Sequence, residues 1–178
     1  MKNKALTIPT LTTERLTLEP ISWRVSEGMF SLWSDADVCR YSGTVTDYDR
    51  NAIEMPAATC AESDKIIDFW LKATNDGWGF RWVVRITDKD EFTGTVGFNS
   101  LNECSEIAFH LLPKYWGKGI MSEASIAAIQ WRRSQGTCSE IEAFVEPENA
   151  PSIALIERLG MKATDVFSEG AQRYRLSV

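Results

Sequence analysis

Gly117 and Gly119 stand two apart where an alternating apolar run gives way to a helical period. Residues without a side chain let the backbone approach a ligand and adopt left-handed dihedrals. The first amides of the following helix lack partners within it, and the helix dipole makes that end electropositive. The segment Trp116-Gly117-Lys118-Gly119-Ile120-Met121-Ser122 therefore has the means to hold a phosphate. The other reading is a tight strand-to-helix turn, and for Gly-x-Gly alone it is the commoner one. Upstream, Glu106 and the only histidine, His110, lie four apart on one strand-like run. Alternation puts both on one face unless a bulge intervenes. Glu106 could carry a proton or be an outward-facing surface carboxylate. His110 reads first as a hydrogen-bonded core histidine.

These groups need a frame. Residues 15–19 alternate and stop at Pro20, a short first strand. Between Ser22, a candidate cap, and about Ser34, the residues Val25, Met29, Leu32 and Trp33 recur at helical spacing, and 35–41 add a further turn. The polar stretch 44–59, containing Tyr48, is expected to be a loop of the length used for lids and binding segments. Residues 61–75 form an amphipathic helix with Ile66, Ile67, Trp70 and Leu71 on one face.

The period then changes to two. Runs 80–87, 92–99 and 105–112 predict an antiparallel meander. A helix over 118–135 stops at Gly136, followed by a strand at 139–145 and a helix at 149–159. Two strands, 162–168 and 171–177, turn at Gly170. Strand 105–112, its helix and strand 139–145 form a βαβ unit whose strands should run parallel. The order of elements predicts a mixed α/β (α+β) layer fold in one domain, 1–178.

Composition narrows the function classes. A hydrophobic fraction of 44% with seven tryptophans supplies a core, and no apolar run is long enough to span a bilayer. No signal peptide is recognisable at the start, so a cytoplasmic location without membrane partners is expected. A net charge of −6 argues against nucleic acid. The four cysteines form no CxxC pair, and one histidine makes a metal site improbable, so no metal is expected.

The segment from Ser105 through Tyr115-Trp116-Gly117-Lys118-Gly119-Ile120-Met121-Ser122-Glu123-Ala124 resembles the coenzyme A-binding motif of the GNAT acetyltransferase superfamily, Arg/Gln-x-x-Gly-x-Gly/Ala after a strand. Trp116 stands where the pattern has Arg or Gln, and Met121 where it has Gly or Ala. The wording is similar to the branch containing the Rim-type ribosomal-protein N-terminal acetyltransferases. Leu11 to Leu18 resembles that branch's opening strand, and Asn149 to Met161 its Asn-x-x-Ser helix.

The resemblance implies a central mixed, mostly antiparallel sheet of about six to seven strands flanked by helices, with a splayed parallel pair binding coenzyme A. It implies acetyl-coenzyme A as co-substrate and a primary amine as acceptor. The backbone of His110, Leu111 and Leu112 would bond the pantetheine arm, and residues 116–122 the diphosphate. Asn149 would cap its helix and also meet the arm.

Acetylating an amine means removing a proton from an ammonium of pKa about 10, polarising a carbonyl and assisting a leaving thiolate. Glu106 lies in a Ser-Glu-Ile-Ala-Phe run that resembles the strand carrying the general base of the histone-acetylating members. The tyrosine acid of many relatives is missing, Leu155 and Ile156 standing there. The Rim-type branch points instead to Ser152, which is otherwise an ordinary first-turn serine. Trp33, Tyr41 and Tyr48 are candidate walls of the acceptor pocket. Glu140, Glu142, Glu146 and Glu148 could attract a cation, or simply be solvated surface. The expected acceptor is a protein N-terminal amine. Its rivals are a small-molecule amine (polyamine, aminoglycoside or amino acid) and a non-catalytic acyl-coenzyme A sensor. A monomer and a homodimer both fit.

Overall fold

A computed structural model describes residues 5–178. Among the described residues eight strands form one sheet in the order β1-β2-β3-β4-β5-β6-β8-β7. They are β1 Leu11–Thr12, β2 Leu16–Pro20, β3 Phe80–Ile86, β4 Glu91–Phe98, β5 Cys104–Leu111, β6 Glu140–Val145, β7 Lys162–Ser168 and β8 Ala171–Ser177. The mixed fold is as expected, with one strand beyond the seven runs legible in the sequence. The addition is β1, whose two residues are too few to show a period.

All neighbouring strands pair antiparallel except β5 and β6. The register between β4 and β5 is unbroken from Phe98–Ile107 to Gly94–Leu111. Glu106 and His110 therefore share a face, as alternation predicts.

Helices α1 Ser26–Trp33, α2 Ala36–Cys39 and α3 Cys60–Asp76 cover that face, and α4 Ile120–Ser134 and α5 Ala150–Arg158 the other. Each side has its own core. Met29, Leu32, Ile67 and Val83 are fully enclosed on the first. On the second, Trp131 of α4 meets Phe80 and Trp82 edge-on, each at 5.2 Å between centroids. Such aromatic geometry adds to the area buried.

Helix ends differ from expectation where backbone chemistry decides them. Ser22 makes no side-chain cap, and a short 3-10 turn over Trp23–Val25 precedes α1. Thr59 and Glu62 form a reciprocal capping box that starts α3 one residue earlier than its apolar stripe indicates. Helix α4 begins at Ile120 rather than 118, because Gly119 is left-handed at φ +72° and cannot join the helix.

Candidate active site

The site begins where β5 and β6 part. Their parallel ladder has three rungs, Cys104–Glu140, Ser105–Ile141 and Glu106–Glu142. Beyond them β5 stays on β4, while β6 follows β8. Arg132 braces the apex from α4. It is 2% exposed and donates from Nε to Ser105 Oγ, from Nη1 to Thr137 Oγ1 and from Nη2 to Leu101 O, each at 2.9 Å.

Asn99 N donates to Glu106 O, and Leu112 N to Thr93 O. Antiparallel pairs alternate, so His110 and Leu112 turn their main-chain groups toward β4. Phe109 and Leu111 turn theirs into the gap. Of the three residues expected to present backbone there, only Leu111 does so. Its carbonyl already accepts from Trp116 Nε1 at 2.8 Å. Phe109 was not anticipated.

Helix α4 starts across the gap. No side chain among the described residues caps it, and its first internal bond runs from Glu123 N to Gly119 O at 3.1 Å. The amides of Ile120, Met121 and Ser122 thus have no acceptor among the described residues. With Trp116, Gly117 and Gly119 they edge a cleft of about 530 Å³. Arg15 reaches this turn from the β1–β2 hairpin and donates from Nη1 to Lys118 O at 3.0 Å. Lys118 itself bonds Lys114 O through Nζ at 2.7 Å and lies outside the cleft lining.

A second cleft, of about 640 Å³, lies on the α3 side of the sheet. The two share Tyr41, Ser42, Phe109, His110, Asn149 and Ser152. Asn149 Oδ1 accepts from Ser152 N at 3.4 Å, the cap read from the sequence. Tyr41 Oη donates to Glu148 O at 3.3 Å, tying α2 to the loop before α5. Trp33 lines the second cleft, and its Nε1 is buried without a partner among the described residues.

Three further expectations change. Tyr48 is drawn to α3, where it donates to Asp76 and stacks beside Trp78, and it lines neither cleft. His110 is not the hydrogen-bonded core residue expected, because its buried Nδ1 has no partner among the described residues. Its ring packs on Trp33 at 4.6 Å. Burial, with the charge of Arg81 nearby, pushes its pKa down to about 3, so the ring is neutral. Glu140 and Glu142 are ion-paired with Arg175 and Arg173 rather than being simply solvated.

Glu106 lines the second cleft. Burial raises its pKa, a bond from Asn99 lowers it, Glu142 raises it and Arg81 lowers it, with a net upward shift. A carboxylate so placed is a stronger base than an exposed one.

The acetyltransferase (GNAT) domain family matches residues 15–162. The uncharacterized N-acetyltransferase p20 of Bacillus licheniformis is 31% identical over 156 residues, covering 86% of this chain and 82% of that protein. An acetyltransferase from Agrobacterium tumefaciens str. C58 superposes with a TM-score of 0.77 at 22% identity, covering 99% of this chain and 98% of the other. RimL, a ribosomal L7/L12 alpha-N-protein acetyltransferase solved with coenzyme A, superposes with a TM-score of 0.78 at 14% identity, covering 96% and 98%. A diverging parallel pair, an uncapped helix start at its mouth and these likenesses have one conclusion: the chain belongs to the GNAT acetyltransferase family.

Proposed function

We propose that the protein transfers the acetyl group of acetyl-coenzyme A to the primary amine of a protein N-terminus, by direct attack with both substrates bound. The observation that carries this reading is the meeting of the two clefts at Phe109, His110, Asn149 and Ser152, where β5 and β6 have separated.

The residues of the first cleft suit the co-substrate. Three unpartnered amides and a turn whose two left-handed positions are Gly117 and Gly119 suit a diphosphate, and Arg15 holds that turn through the Lys118 carbonyl. The unpaired edge groups of Phe109 suit an amide-bearing arm. When bound, acetyl-coenzyme A supplies an activated acyl group. Glu106 takes the proton of the acceptor ammonium, directly or through water. Ser152, which lines both clefts, hydrogen-bonds the departing sulfur in this reading, and Trp33 and Tyr41 wall the acceptor's path. The fold likeness to RimL supports an N-terminal amine as acceptor.

A thiol-release screen of acetyl-coenzyme A against peptides with free N-termini, polyamines and aminoglycosides tests the reading. Peptides are expected to accelerate release most. Faster release with a polyamine or aminoglycoside overturns the acceptor class. Tight coenzyme A binding with no acceleration by any amine overturns transfer itself and leaves a sensor.

A further inference from the structure

Arg81 is a guanidinium placed where an apolar side chain would be expected. It is 5% exposed and has no carboxylate within ion-pair distance among the described residues. Its Nη1 donates to Phe80 O at 3.0 Å, and its plane lies on the Trp70 ring, 3.5 Å from the centroid. Burying a cation without a contacting anion is costly, and an aliphatic side chain would pack there without that cost. Its remaining bond, from Nη2, goes to Asn99 Oδ1. Asn99 in turn donates from Nδ2 to Glu106 Oε1 at 2.7 Å.

The chemistry of the partners fixes the direction of this chain. A guanidinium only donates and an ionised carboxylate only accepts, so the carboxamide between them has one orientation. Gly97 makes the path possible. A Cβ there would fall 2.2 Å from Phe80 O and 3.1 Å from Arg81 Cδ, blocking the side chain's route across β4. The main chain adds two restraints, Asn99 N to Glu106 O at 2.8 Å and Glu106 N to Ser100 Oγ at 3.2 Å. All three side chains line the second cleft.

We propose that Arg81 and Asn99 are positioning residues for Glu106: Arg81 orients the Asn99 carboxamide, Asn99 holds Oε1, and Oε2 is left as the oxygen presented to the acceptor amine. The inference rests on the reading of Glu106 as the base. The relay also favours the ionised form, since both donors stabilise negative charge on the carboxylate. Other groups on this side are Glu142 of β6, paired with Arg173 of β8, and Cys104 and the neutral His110 of β5. Arg50, Glu146 and Glu169 line the same cleft, and α1 and α3 present the indoles of Trp33 and Trp70.

The test follows Glu106 itself in the free protein, by carboxyl NMR of 13C-glutamate-labelled protein. The signal is assigned by its loss in Glu106→Gln. Asn99→Leu removes the donor and is expected to raise the Glu106 titration midpoint by about one pH unit. Asn99→Asp, which accepts from Arg81 but cannot donate, should raise it further. Arg81→Lys keeps the charge and should shift it less than Arg81→Met. Should Asn99→Leu fail to fold, Asn99→Ser, too short to span both partners, replaces it. An unchanged midpoint in the Asn99 variants overturns the relay whatever the kinetics show. Shifted midpoints, with an acid limb of kcat/KM that persists in Glu106→Gln, leave the relay standing and overturn Glu106 as the base.

Discussion

Arg15 and Glu123, 108 residues apart in sequence, meet with Nε 2.7 Å from Oε2 at the start of α4. The same carboxylate accepts from Arg15 N at 2.9 Å and from Thr13 Oγ1 at 2.6 Å. The hairpin between β1 and β2 is thereby fastened to the turn proposed to hold the diphosphate, and Arg15 Nη1 reaches the Lys118 carbonyl within it. Arg15 thereby orders the turn, its own charge being paired with Glu123. Arg15→Ala should weaken coenzyme A binding by about 1 kcal/mol, roughly fivefold in Kd, since the pair is partly exposed. Calorimetric titration checks this, and raised salt should shrink the difference.

Glu123 gives the buckle a pH signature. Burial raises its pKa, but the bonds from Thr13 and Arg15 outweigh that and hold it below the usual carboxylate range. A depressed folded pKa stabilises the fold above the unfolded value, about 4.3, and the contribution fades as pH falls through the folded one. Chemical denaturation should show Glu123→Gln less stable than the parent near neutrality. The gap should close as pH falls below about 4.

The two glycines of the turn should fail differently. Gly117→Ala places a Cβ in open space at φ +70°, so it costs only backbone strain, about 1 kcal/mol of stability. Gly119→Glu also brings a carboxylate to the unpartnered amides, where it competes with phosphate. Its coenzyme A affinity should fall at least tenfold while Gly117→Ala stays within a few-fold of the parent. Equal affinities for Gly119→Glu and the parent would remove the turn from the binding site.

Glu106→Gln should lower kcat by about a hundredfold with little change in coenzyme A affinity. Because its pKa is raised, chiefly by burial, the parent's rate should decline as pH drops through a value above the ordinary carboxylate range. That acid limb should be missing in the variant. Stopped-flow thiol release across pH, beside binding titrations, separates the two effects.

Arg132 is a pure stability prediction. Arg132→Leu takes the guanidinium from the buried Ser105 Oγ and from the half-buried Leu101 carbonyl, while the exposed Thr137 hydroxyl can turn to water. A loss of about 3 kcal/mol is expected. Thermal melting measures it, with acetyl-coenzyme A absent so that ligand binding does not mask the change.

Local patterns carried the fold because they are local. Alternation in residues 80–99, the stripe of α4 and the glycine stops are properties of ten to twenty adjacent residues. The turn at Gly117 and Gly119 was legible for the same reason. The partners of Glu106 were not. Arg81 and Asn99 are 25 and 7 residues away, and their link depends on strand register and on a Gly97 that no period marks. Arg15 reads only as part of a strand, its role being set by a carboxylate of α4 that lies 108 residues along the chain. Tyr48 went the other way. An aromatic residue in a long loop reads as a pocket wall, whereas Phe69, Trp78 and Asp76 hold it against α3. His110 was visible as the one histidine, but its neutrality comes from burial, which sequence does not display.

An ordinary open sheet has two rims, and this one has four. Beyond Glu106 and Glu142 the strands β5 and β6 each present an unmatched border in the middle of the molecule, opposite one another. A strand from another molecule would have to enter the gap to bond there, so these borders are guarded by recess rather than by charge or proline. Of the two outer strands β1 has only two residues, whereas β7 is longer, has no such shelter and shows Val166 and Phe167 at 49% and 56% exposure. If misassembly begins at a rim, β7 is where it should start, and a lysine at position 167 is the economical way to blunt it.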